Sequence, residues 1–377
     1  MYENSQTLEA AEKLTIVPLT PDRYAEWDEF CLQSPDAWFW HTSQWLEYTL
    51  HYRPELQPHS HSFFCLHAGS VAAACPLILE TYNREGESVR EFSYGGDSVP
   101  SPALADTLSE QTKKRVRKRA FTYCDELARE LNVARASFRM SPLATSFCDA
   151  TIPKSNPLLK FGFSDVSLTT QVVELVSDEQ QLLQGMRKGH RADITRAEKL
   201  LQATILDKDG VTSEAFDRYR LLHQKAAGRV TRPLATFQMM YDWIRDGLAI
   251  LSVASLQGKD VGFALVSVYK GGAYYSSSCE DPEHNNLPIG HILQWRALQW
   301  LKRHSVRRYE IGLQFYSSQP HAIVSEKESK ISFFKRGFGG APVPLWRGEK
   351  FYDKQYCLTT LKARAEKFSA TIGEGSE

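Results

Sequence analysis

The chain has 377 residues, with 45 lysines and arginines against 45 aspartates and glutamates, so its formal net charge is zero. Domains usually have ~100–200 residues, so this length predicts two or three of them. Hydrophobic residues make up 42% and charged residues 24%, a balance that is typical of a soluble protein and excludes wholesale disorder. The neutral charge argues against a strongly basic nucleic-acid-binding protein, although a local basic patch stays open.

The sequence carries no signal for export or membrane insertion. No segment reaches the ~18 consecutive apolar residues of a membrane-spanning helix, and Met1–Glu12 is polar and acidic, unlike a signal peptide. The cysteines are scattered, odd in number and without a C-x-x-C pair, so we expect reduced thiols in the cytoplasm. They are Cys31, Cys65, Cys75, Cys124, Cys148, Cys279 and Cys357.

Two stretches repeat one pattern of strands, a turn-rich loop, a long amphipathic helix and a further strand. The first, His61–Met140, is predicted to contain strands Ser62–Leu66, Val71–Thr81 and Arg90–Ser93, a helix ending near Leu131, and strand Ala134–Met140. The second, Leu248–Leu313, is predicted to contain strands Ala249–Leu256, Val261–Tyr269 and Ala273–Cys279, a helix from about Pro288, and strand Arg308–Leu313. Such a repeat indicates a duplicated α/β domain.

Each copy follows a pair of predicted helices, and these are Asp22–Leu32, Thr42–His51, Ser213–Ala227 and Thr236–Arg245. A boundary between the copies is expected near Gly162–Ser167, after a proline-containing stretch. We therefore predict an N-terminal domain over residues 1–167, a second domain over 168–358, and a C-terminal helix with a frayed tail over 359–377.

The start of the helix near Pro288 is the most informative local feature. Proline suits a first helical turn, where its missing N–H would be unpaired anyway, and Asn285 or Asn286 could cap that turn. Gly290 lets another group approach the backbone closely. Free N–H groups and the helix dipole suit a phosphate or pyrophosphate there. The other interpretation is an ordinary capped helix after a loop.

Four segments carry a resemblance to a known family. LPIGHILQW (Leu287–Trp295) and YEIGL (Tyr309–Leu313) resemble the acyl-donor half of a GNAT acyltransferase. MRKGHRADITRAEK (Met186–Lys199) and SFFKRGFGG (Ser332–Gly340) are similar to segments of the double-GNAT branch, which contains Fem-type aminoacyltransferases and cellulose-cluster-like acetyltransferases. The usual GNAT signature R/Q-x-x-G-x-G/A is absent, and Pro288 and Gly290 stand in its place.

The resemblance implies an α/β fold of two tandem GNAT-like domains with a cleft between them, the second domain holding the donor and acceptor sites. It also implies a cytoplasmic N-acyltransferase that moves acetyl from acetyl-CoA, with no permanently bound cofactor, onto an amine of a cell-envelope or glycan precursor. Acyl-CoA is favoured over aminoacyl-tRNA because the net charge is zero and no long coiled-coil arm interrupts the second domain. The alternatives are an aminoacyl-tRNA-dependent aminoacyltransferase of the peptidoglycan-bridge type, and a non-catalytic carbohydrate- or RNA-binding module on a GNAT scaffold.

The same resemblance suggests roles for individual residues. The donor would lie against Leu287 and the backbone N–H groups of Ile289, Gly290 and His291. Acyl transfer to an amine needs a proton acceptor, hydrogen-bond donors for the oxyanion, and a proton or a stabilising charge for the leaving group. The expected catalytic candidates are Glu280 and Asp281 as bases and Tyr316 and His321 near the leaving group. Each also has a structural interpretation, in a turn or in packing.

Basic residues suggest an acceptor site. Arg187 and Arg191 share a face of the basic helix Arg187–Lys199, and with Lys335, Arg336 and Arg347 they are candidates for binding an anionic acceptor. A solvated helix surface is the competing interpretation. The denser run Lys113–Arg119 lies at the front of a helix, where cations oppose the helix dipole. We interpret it as a solubilising face, with an RNA or phosphate-rich contact as the alternative.

No metal site is predicted. The histidines His51, His59, His61 and His67 crowd one region without the spacing of metal ligands on a helix. G-x-S-x-G, H-E-x-x-H and P-loop motifs are absent, so hydrolase, zinc-protease and kinase-like functions lack support.

Overall fold

The computed structural model of the chain describes residues 13–84, 86–147 and 153–372. The polar N-terminus, Cys148 and the end of the predicted frayed tail lie outside the described residues. By contacts the chain forms two compact units. Unit 1 consists of Met1–Leu168, Ser317–Ile323 and Leu345–Glu377, and unit 2 consists of Thr169–Tyr316 and Val324–Pro344.

Unit 1 combines two sheets with four helices in its described residues. The helices are α1 (Tyr24–Gln33), α2 (Ser43–Tyr52), α3 (Glu110–Glu130) and α10 (Lys354–Ala370). The strands are β1 (Leu14–Pro18), β2 (His59–Ser60), β3 (Phe63–His67), β4 (Ser70–Cys75), β5 (Ile78–Arg84), β6 (Glu87–Phe92), β7 (Val99–Pro100), β8 (Ala103–Leu104), β9 (Val133–Arg139), β10 (Ser164–Asp165) and β18 (Arg347–Phe351). One sheet has the order β1-β3-β4-β8 and the other β10-β18-β9-β6-β5-β2, with β7 also pairing with β9.

Helix α3 is the central helix of unit 1. Ser109 caps its first turn by accepting from the Thr112 N–H at 3.2 Å. Its apolar stripe recurs at helical spacing and is buried against the sheets, where it joins the main core of the unit. The stripe consists of Val116, Ala120, Phe121, Cys124, Leu127 and Ala128.

Unit 2 is built on one seven-stranded sheet. Its helices are α4 (Glu179–Gln184), α5 (Lys188–Leu200), α6 (Ser213–Ala227), α7 (Leu234–Arg245), α8 (Ile289–Arg303) and α9 (Glu326–Arg336). Its strands are β11 (Leu168–Glu174), β12 (Gln202–Leu206), β13 (Ala249–Leu256), β14 (Lys259–Tyr269), β15 (Gly272–Glu280), β16 (Arg308–Gln314) and β17 (Ala341–Leu345). The order is β12-β13-β14-β15-β16-β11-β17, and α8 supplies much of the buried core.

The predicted duplication is confirmed as a shared local topology. In unit 1 an antiparallel hairpin, β5–β6, leads through α3 to β9, which is parallel to β6. In unit 2 the hairpin β14–β15 leads through α8 to β16, which is parallel to β15. A helix between two parallel neighbouring strands is the usual α/β crossover. The mixed α/β fold class therefore agrees with the prediction.

The two units divide the chain differently from the predicted domain bounds. Residues 345–358 were assigned to the second domain, but they pack within unit 1. The cause is β18, which pairs antiparallel with β9, for example Gly348 with Phe138. The C-terminal helix begins at Lys354 rather than at residue 359, and Asp353 caps it by accepting from the Tyr356 N–H. Among the described residues, no helix is long and apolar enough to cross a lipid bilayer.

Gly340 joins α9 to β17 in a conformation that only glycine tolerates easily. Its φ is +76°, and a Cβ there would overlap the Val172 carbonyl. We expect Gly340→Ala to destabilise unit 2 more than Gly258→Ala, because Gly258 has a φ of +80° but nothing within 4 Å of a Cβ.

The control should cost about 1–2 kcal/mol for its left-handed backbone alone. Gly340→Ala should cost about 1–3 kcal/mol more, the usual range for overpacking. Urea unfolding curves of both variants measure the difference, and equal midpoints would contradict the predicted backbone clash.

Candidate active site

The two central strands of unit 2 part halfway along their length. Strand β15 pairs with β16 over only three residue pairs, the last of which is Tyr274 with Glu310. Beyond that point β15 continues to pair with β14, and β16 with β11. A bulge at Ser276 and another at Ile311 bend the two strands at this point. The central strands therefore splay, and this creates an opening in the sheet.

Lys335 supplies a cation at the β16 side of this opening. Gly312 has a φ of +108°, and a Cβ there would lie 2.8 Å from Lys335 Nζ and 3.9 Å from the Tyr274 hydroxyl. Burial lowers the pKa of Lys335, and the nearby Glu310 carboxylate opposes that shift. Within the described part of the chain, the ammonium makes no hydrogen bond or ion pair. Lys335 can therefore donate to a ligand oxygen.

Glu280 supplies a carboxylate at the other side, where β15 ends. The residue is solvent-accessible, yet protein atoms surround its carboxylate closely. This partial desolvation raises the pKa of Glu280, and a hydrogen bond from the Gly290 N–H opposes the shift. A Cβ at residue 290 would lie 2.6 Å from Glu280 Oε1 and 3.1 Å from Phe334 Cζ. The close approach expected at Gly290 is thus made by a side chain of the protein itself.

The other predicted donor residues are built into the start of α8. Ile289 is fully buried in the core, and the Leu287 N–H donates to the His284 carbonyl at 3.0 Å. The His291 ring lies 4.6 Å from the His190 ring, centroid to centroid, and its Nε2 is 3.6 Å from Asp193 Oδ2. These contacts give the helix start a packed structure.

Asp281 differs from Glu280 in its electrostatics. It is almost fully buried, and it accepts from Lys225 Nζ at 2.7 Å and from the Glu283 N–H at 3.1 Å. The hydrogen bond from Lys225 lowers the pKa of Asp281. A carboxylate with a lowered pKa is a weaker base, so the geometry favours Glu280 over Asp281 as proton acceptor.

The arginines of the basic helix bind backbone carbonyls. Arg187 donates to the Phe333 carbonyl at 3.2 Å, and its guanidinium lies 3.7 Å from the centre of the Phe333 ring. Arg191 donates to the carbonyls of Gln184 and Met186. Arg196, which the sequence had placed on the same helix, donates to the Asn286 carbonyl at 2.7 Å. Arg187 and Arg191 thus have structural partners, and their role in binding an acceptor stays a prediction.

The remaining predicted residues fall in two places. In unit 2, Arg336 donates to Gln314 Oε1 at 3.3 Å, and its guanidinium lies 4.8 Å from the ring centre of the exposed Tyr316. In unit 1, Arg347 pairs with Asp97 at 2.5 Å, and His321 Nε2 lies 3.2 Å from the Ser167 carbonyl oxygen. Arg347 therefore carries an ion pair with the exposed Asp97, which offsets its charge.

Sequence analysis missed a buried polar group on α8. Gln294 is fully buried, and its Oε1 accepts from the Tyr309 hydroxyl at 2.6 Å. Its Nε2 has no hydrogen-bond partner among the residues that the structure describes. Burial raises the pKa of the neighbouring Tyr275 to about 12, so that hydroxyl stays protonated at neutral pH. In the sequence, the one indication of this buried polar group was a glutamine between the apolar residues Leu293 and Trp295, which are both buried. Among the residues searched, no cluster of side chains could hold a metal ion.

The His190–His291 contact predicts a pH-dependent stability. Burial, together with the neighbouring His190, lowers the pKa of His291 from 6.5 to about 4. The unfolded chain therefore binds this proton first, so the stabilisation is complete above pH 6.5 and is lost as the pH falls towards 4. The loss from His291 should reach at most about 3 kcal/mol.

We expect His291→Asn to lose less stability than the parent protein between pH 7 and 4.5. His304→Asn, at the exposed end of the same helix, is the matched control. Urea midpoints across this pH range measure the effect. Parallel pH profiles for the parent and His291→Asn would rule out the buried, neutral imidazole.

Comparison with known proteins agrees with this geometry. The sequence model of the acetyltransferase (GNAT) domain matches residues 184–316. No curated protein sequence matches the chain. The solved structure of FemX has a TM-score of 0.65 at 12% identity, over 92% of this chain and 100% of that one.

Two further solved structures share the fold. The C-terminal domain of a protein described as a lysylphosphatidylglycerol synthetase, from Agrobacterium fabrum, has a TM-score of 0.53 at 12% identity, over 91% of this chain and 95% of that one. A tandem GNAT protein from the clavulanic acid biosynthesis pathway has a TM-score of 0.50 at 16% identity, over 90% of this chain and 98% of that one. Residues 184–316 thus match the acetyltransferase (GNAT) domain that defines this class of acyltransferases, and over most of its length the chain shares the fold of FemX and of the tandem GNAT protein.

Proposed function

We propose that the protein transfers an acyl group to an amine at the opening between β15 and β16, with Glu280 as the proton acceptor and Lys335 as the oxyanion donor. The observation that carries this proposal is the pair of opposite charges flanking the parted strands. The carboxylate has a raised pKa, and the ammonium has a lowered pKa and, among the described residues, no hydrogen bond or ion pair.

The chemistry follows from these two groups. The acceptor nitrogen attacks the acyl carbon, and Glu280 takes up the proton that the nitrogen loses. Electrons of the C=O bond move to its oxygen, and the ammonium of Lys335 stabilises that charge. When the carbonyl re-forms, the bond to the leaving oxygen or sulfur breaks. The proton taken up by Glu280 then passes, directly or through water, to the leaving oxygen, whereas a sulfur leaves as a thiolate and the proton goes to solvent. A base is most effective when its pKa lies near the working pH, and the raised pKa of Glu280 moves it in that direction.

The start of α8 supports an ester donor, an aminoacyl-tRNA, over acetyl-CoA. A CoA pyrophosphate needs free N–H groups at a helix start, but the Glu280 carboxylate already lies beside Gly290, with Oε1 2.6 Å from the position that a Cβ of residue 290 would take. Asp281 and Glu283 add two more carboxylates to the same loop, against the single ammonium of Lys225. An incoming pyrophosphate would be repelled by this loop. The terminal nucleoside of a tRNA presents an ester and a ribose without a pyrophosphate.

The comparisons are compatible with either donor. One solved relative is described as a lysylphosphatidylglycerol synthetase, and lysylphosphatidylglycerol contains an aminoacyl ester. The description of the tandem GNAT protein names AcCoA, as the ligand that its structure lacks. The acetyltransferase domain match favours acetyl-CoA as the second candidate. We propose an amine of a cell-envelope or glycan precursor as the acceptor, which the likeness to FemX supports. We also propose that the protein acts in the cytoplasm.

A binding experiment separates the two donors. We expect a non-hydrolysable 3′-aminoacylamino-adenosine to raise the melting temperature of the protein with concentration, because a ligand that binds only the folded state stabilises it. At 100 times its dissociation constant the gain is about 2.7 kcal/mol. Acetyl-CoA at the same concentrations should give no shift. A concentration-dependent shift with acetyl-CoA alone would instead establish the thioester as donor.

Replacement of Glu280 tests the base. Glu280→Gln keeps the shape of the side chain and can still accept from the Gly290 N–H, but it cannot take up a proton. We expect turnover to fall by about 10²–10⁴-fold, the usual contribution of a general base, with little change in donor binding.

Asp281→Asn is the matched control, because Asp281 is paired with Lys225. It should lower turnover less than Glu280→Gln does. Turnover of Glu280→Gln near that of the parent across a pH series, at saturating donor, would remove Glu280 from the mechanism.

A further inference from the structure

A basic groove runs along the first half of α3 in unit 1, away from the residues used above. It encloses about 720 Å³ between α3 and the short 3₁₀ helix Pro157–Phe161. We define it by its five cations and the ring at its floor: Lys113, Lys114, Arg117, Lys118, Lys160 and Phe161. Two carboxylates also line it, Glu110 and Asp125.

The carboxylates do not neutralise this groove. Asp125 accepts from Lys350 Nζ at 2.8 Å and from the Tyr352 hydroxyl at 2.7 Å, so it is already used inside the protein. Glu110 pairs with Lys113 at 3.1 Å. Lys113 is also 3.9 Å from Asp106, and Arg117 is 3.6 Å from Asp36, so the positive charge that remains in the basic groove is that of its three other lysines.

Several cations of the basic groove lack internal partners. In the described part of the chain Lys114, Lys118 and Lys160 make no hydrogen bond or ion pair. Lys114 and Lys118 are also a like-charged i, i+4 pair, which destabilises a helix. Lys113 and Arg117 line the same groove, and like charges held close together repel one another. These costs are local, because the whole chain has no net positive charge. A bound polyanion would offset them.

The shape and chemistry of the basic groove fit a nucleic-acid backbone. The groove is too large for a single phosphate, and its lysines act as point charges, which position phosphates without reading bases. Phe161 is half-buried at the floor, with its ring 4.7 Å from that of Phe121, and it offers an apolar face to an unstacked base.

A membrane surface fits less well. A helix that binds a bilayer uses an apolar face beside its basic one. The apolar face of α3 is buried in the core of unit 1, as Val116 and Ala120 show. Leu159, on the 3₁₀ helix, is a single exposed apolar side chain near the basic groove.

We propose that the basic groove binds the phosphate backbone of RNA, and that this RNA is the tRNA that carries the aminoacyl donor. The second half of this inference rests on the proposed function. Binding would be independent of sequence and strongly dependent on salt, because each phosphate contact releases counterions.

The test compares charge-reversal variants of the full-length protein. Lys114→Glu/Lys118→Glu changes one wall of the basic groove, and Lys160→Glu changes the other. The matched control is Lys362→Glu/Lys367→Glu, which alters two exposed lysines of α10. Affinity for bulk deacylated tRNA is measured by fluorescence anisotropy over a series of salt concentrations.

We expect the Lys114/Lys118 variant to bind tRNA on the order of 10–100-fold more weakly at 0.1 M salt, with a salt slope reduced by about 1.4–1.8, as for two lost phosphate contacts. Lys160→Glu should weaken binding in the same direction, which keeps the test valid if the double variant does not fold. The control should bind as the parent does. Unchanged affinity and slope for both groove variants would overturn the inference, and so would binding to anionic phosphatidylglycerol vesicles with none to tRNA.

Transfer assays separate failure of this inference from failure of the proposed function. With a minimal 3′-aminoacyl-adenosine donor, the groove variants should match the parent, because that donor has no phosphate backbone to bind. With aminoacyl-tRNA they should show a raised KM. Activity with the minimal donor but no groove effect with tRNA would overturn the groove alone. Transfer from acetyl-CoA only would overturn tRNA as the bound RNA.

Discussion

Two neighbouring parallel strands that stop bonding after three residue pairs set the chemistry of unit 2. A backbone that leaves a sheet ladder must satisfy its polar groups elsewhere or leave them for a ligand. Here β15 and β16 each keep one neighbour on their outer side, β14 and β11. The bulges and the left-handed Gly312 are how the chain accommodates the separation. Lys335 approaches the backbone at Gly312 because that residue has no side chain.

The contact between Glu280 and Gly290 affects what can bind at the start of α8. An N–H at a helix start can bind either a phosphate of a ligand or a carboxylate of the protein. In this chain the carboxylate takes that place, and the same contact keeps the carboxylate in a closely packed environment. The raised pKa of Glu280 comes from its partial desolvation, and the contact with Gly290 limits that rise. The substitution of the usual signature by Pro288 and Gly290 is consistent with a carboxylate at this helix start.

The sequence predicted regular elements well where the local pattern was strong. Strand β13 and helix α6 occupy the predicted residues, because apolar alternation or helical spacing is bounded there by turn residues. Partners distant in sequence could not be inferred. No feature of the sequence near Asp281 predicts its ion pair with Lys225, which lies 56 positions away. Likewise, the sequence alone suggests that Arg347 is a free cation, because it does not show that β18 pairs with β9. The hydrogen bond of the buried Gln294 could not be inferred for the same reason, since its partner Tyr309 belongs to the next strand.

Strand β18 also affects the order in which the polypeptide acquires its structure. In its sheet, β18 lies between β10 and β9, although it follows both of them by well over a hundred residues. While the ribosome synthesises the chain, β9 must wait with an open edge until residues 347–351 have emerged, and all of unit 2 is made in the interval. Exposed strand edges invite pairing with other chains. The nascent first unit therefore exposes this edge until synthesis is nearly complete, and a truncation before residue 347 would leave it exposed permanently.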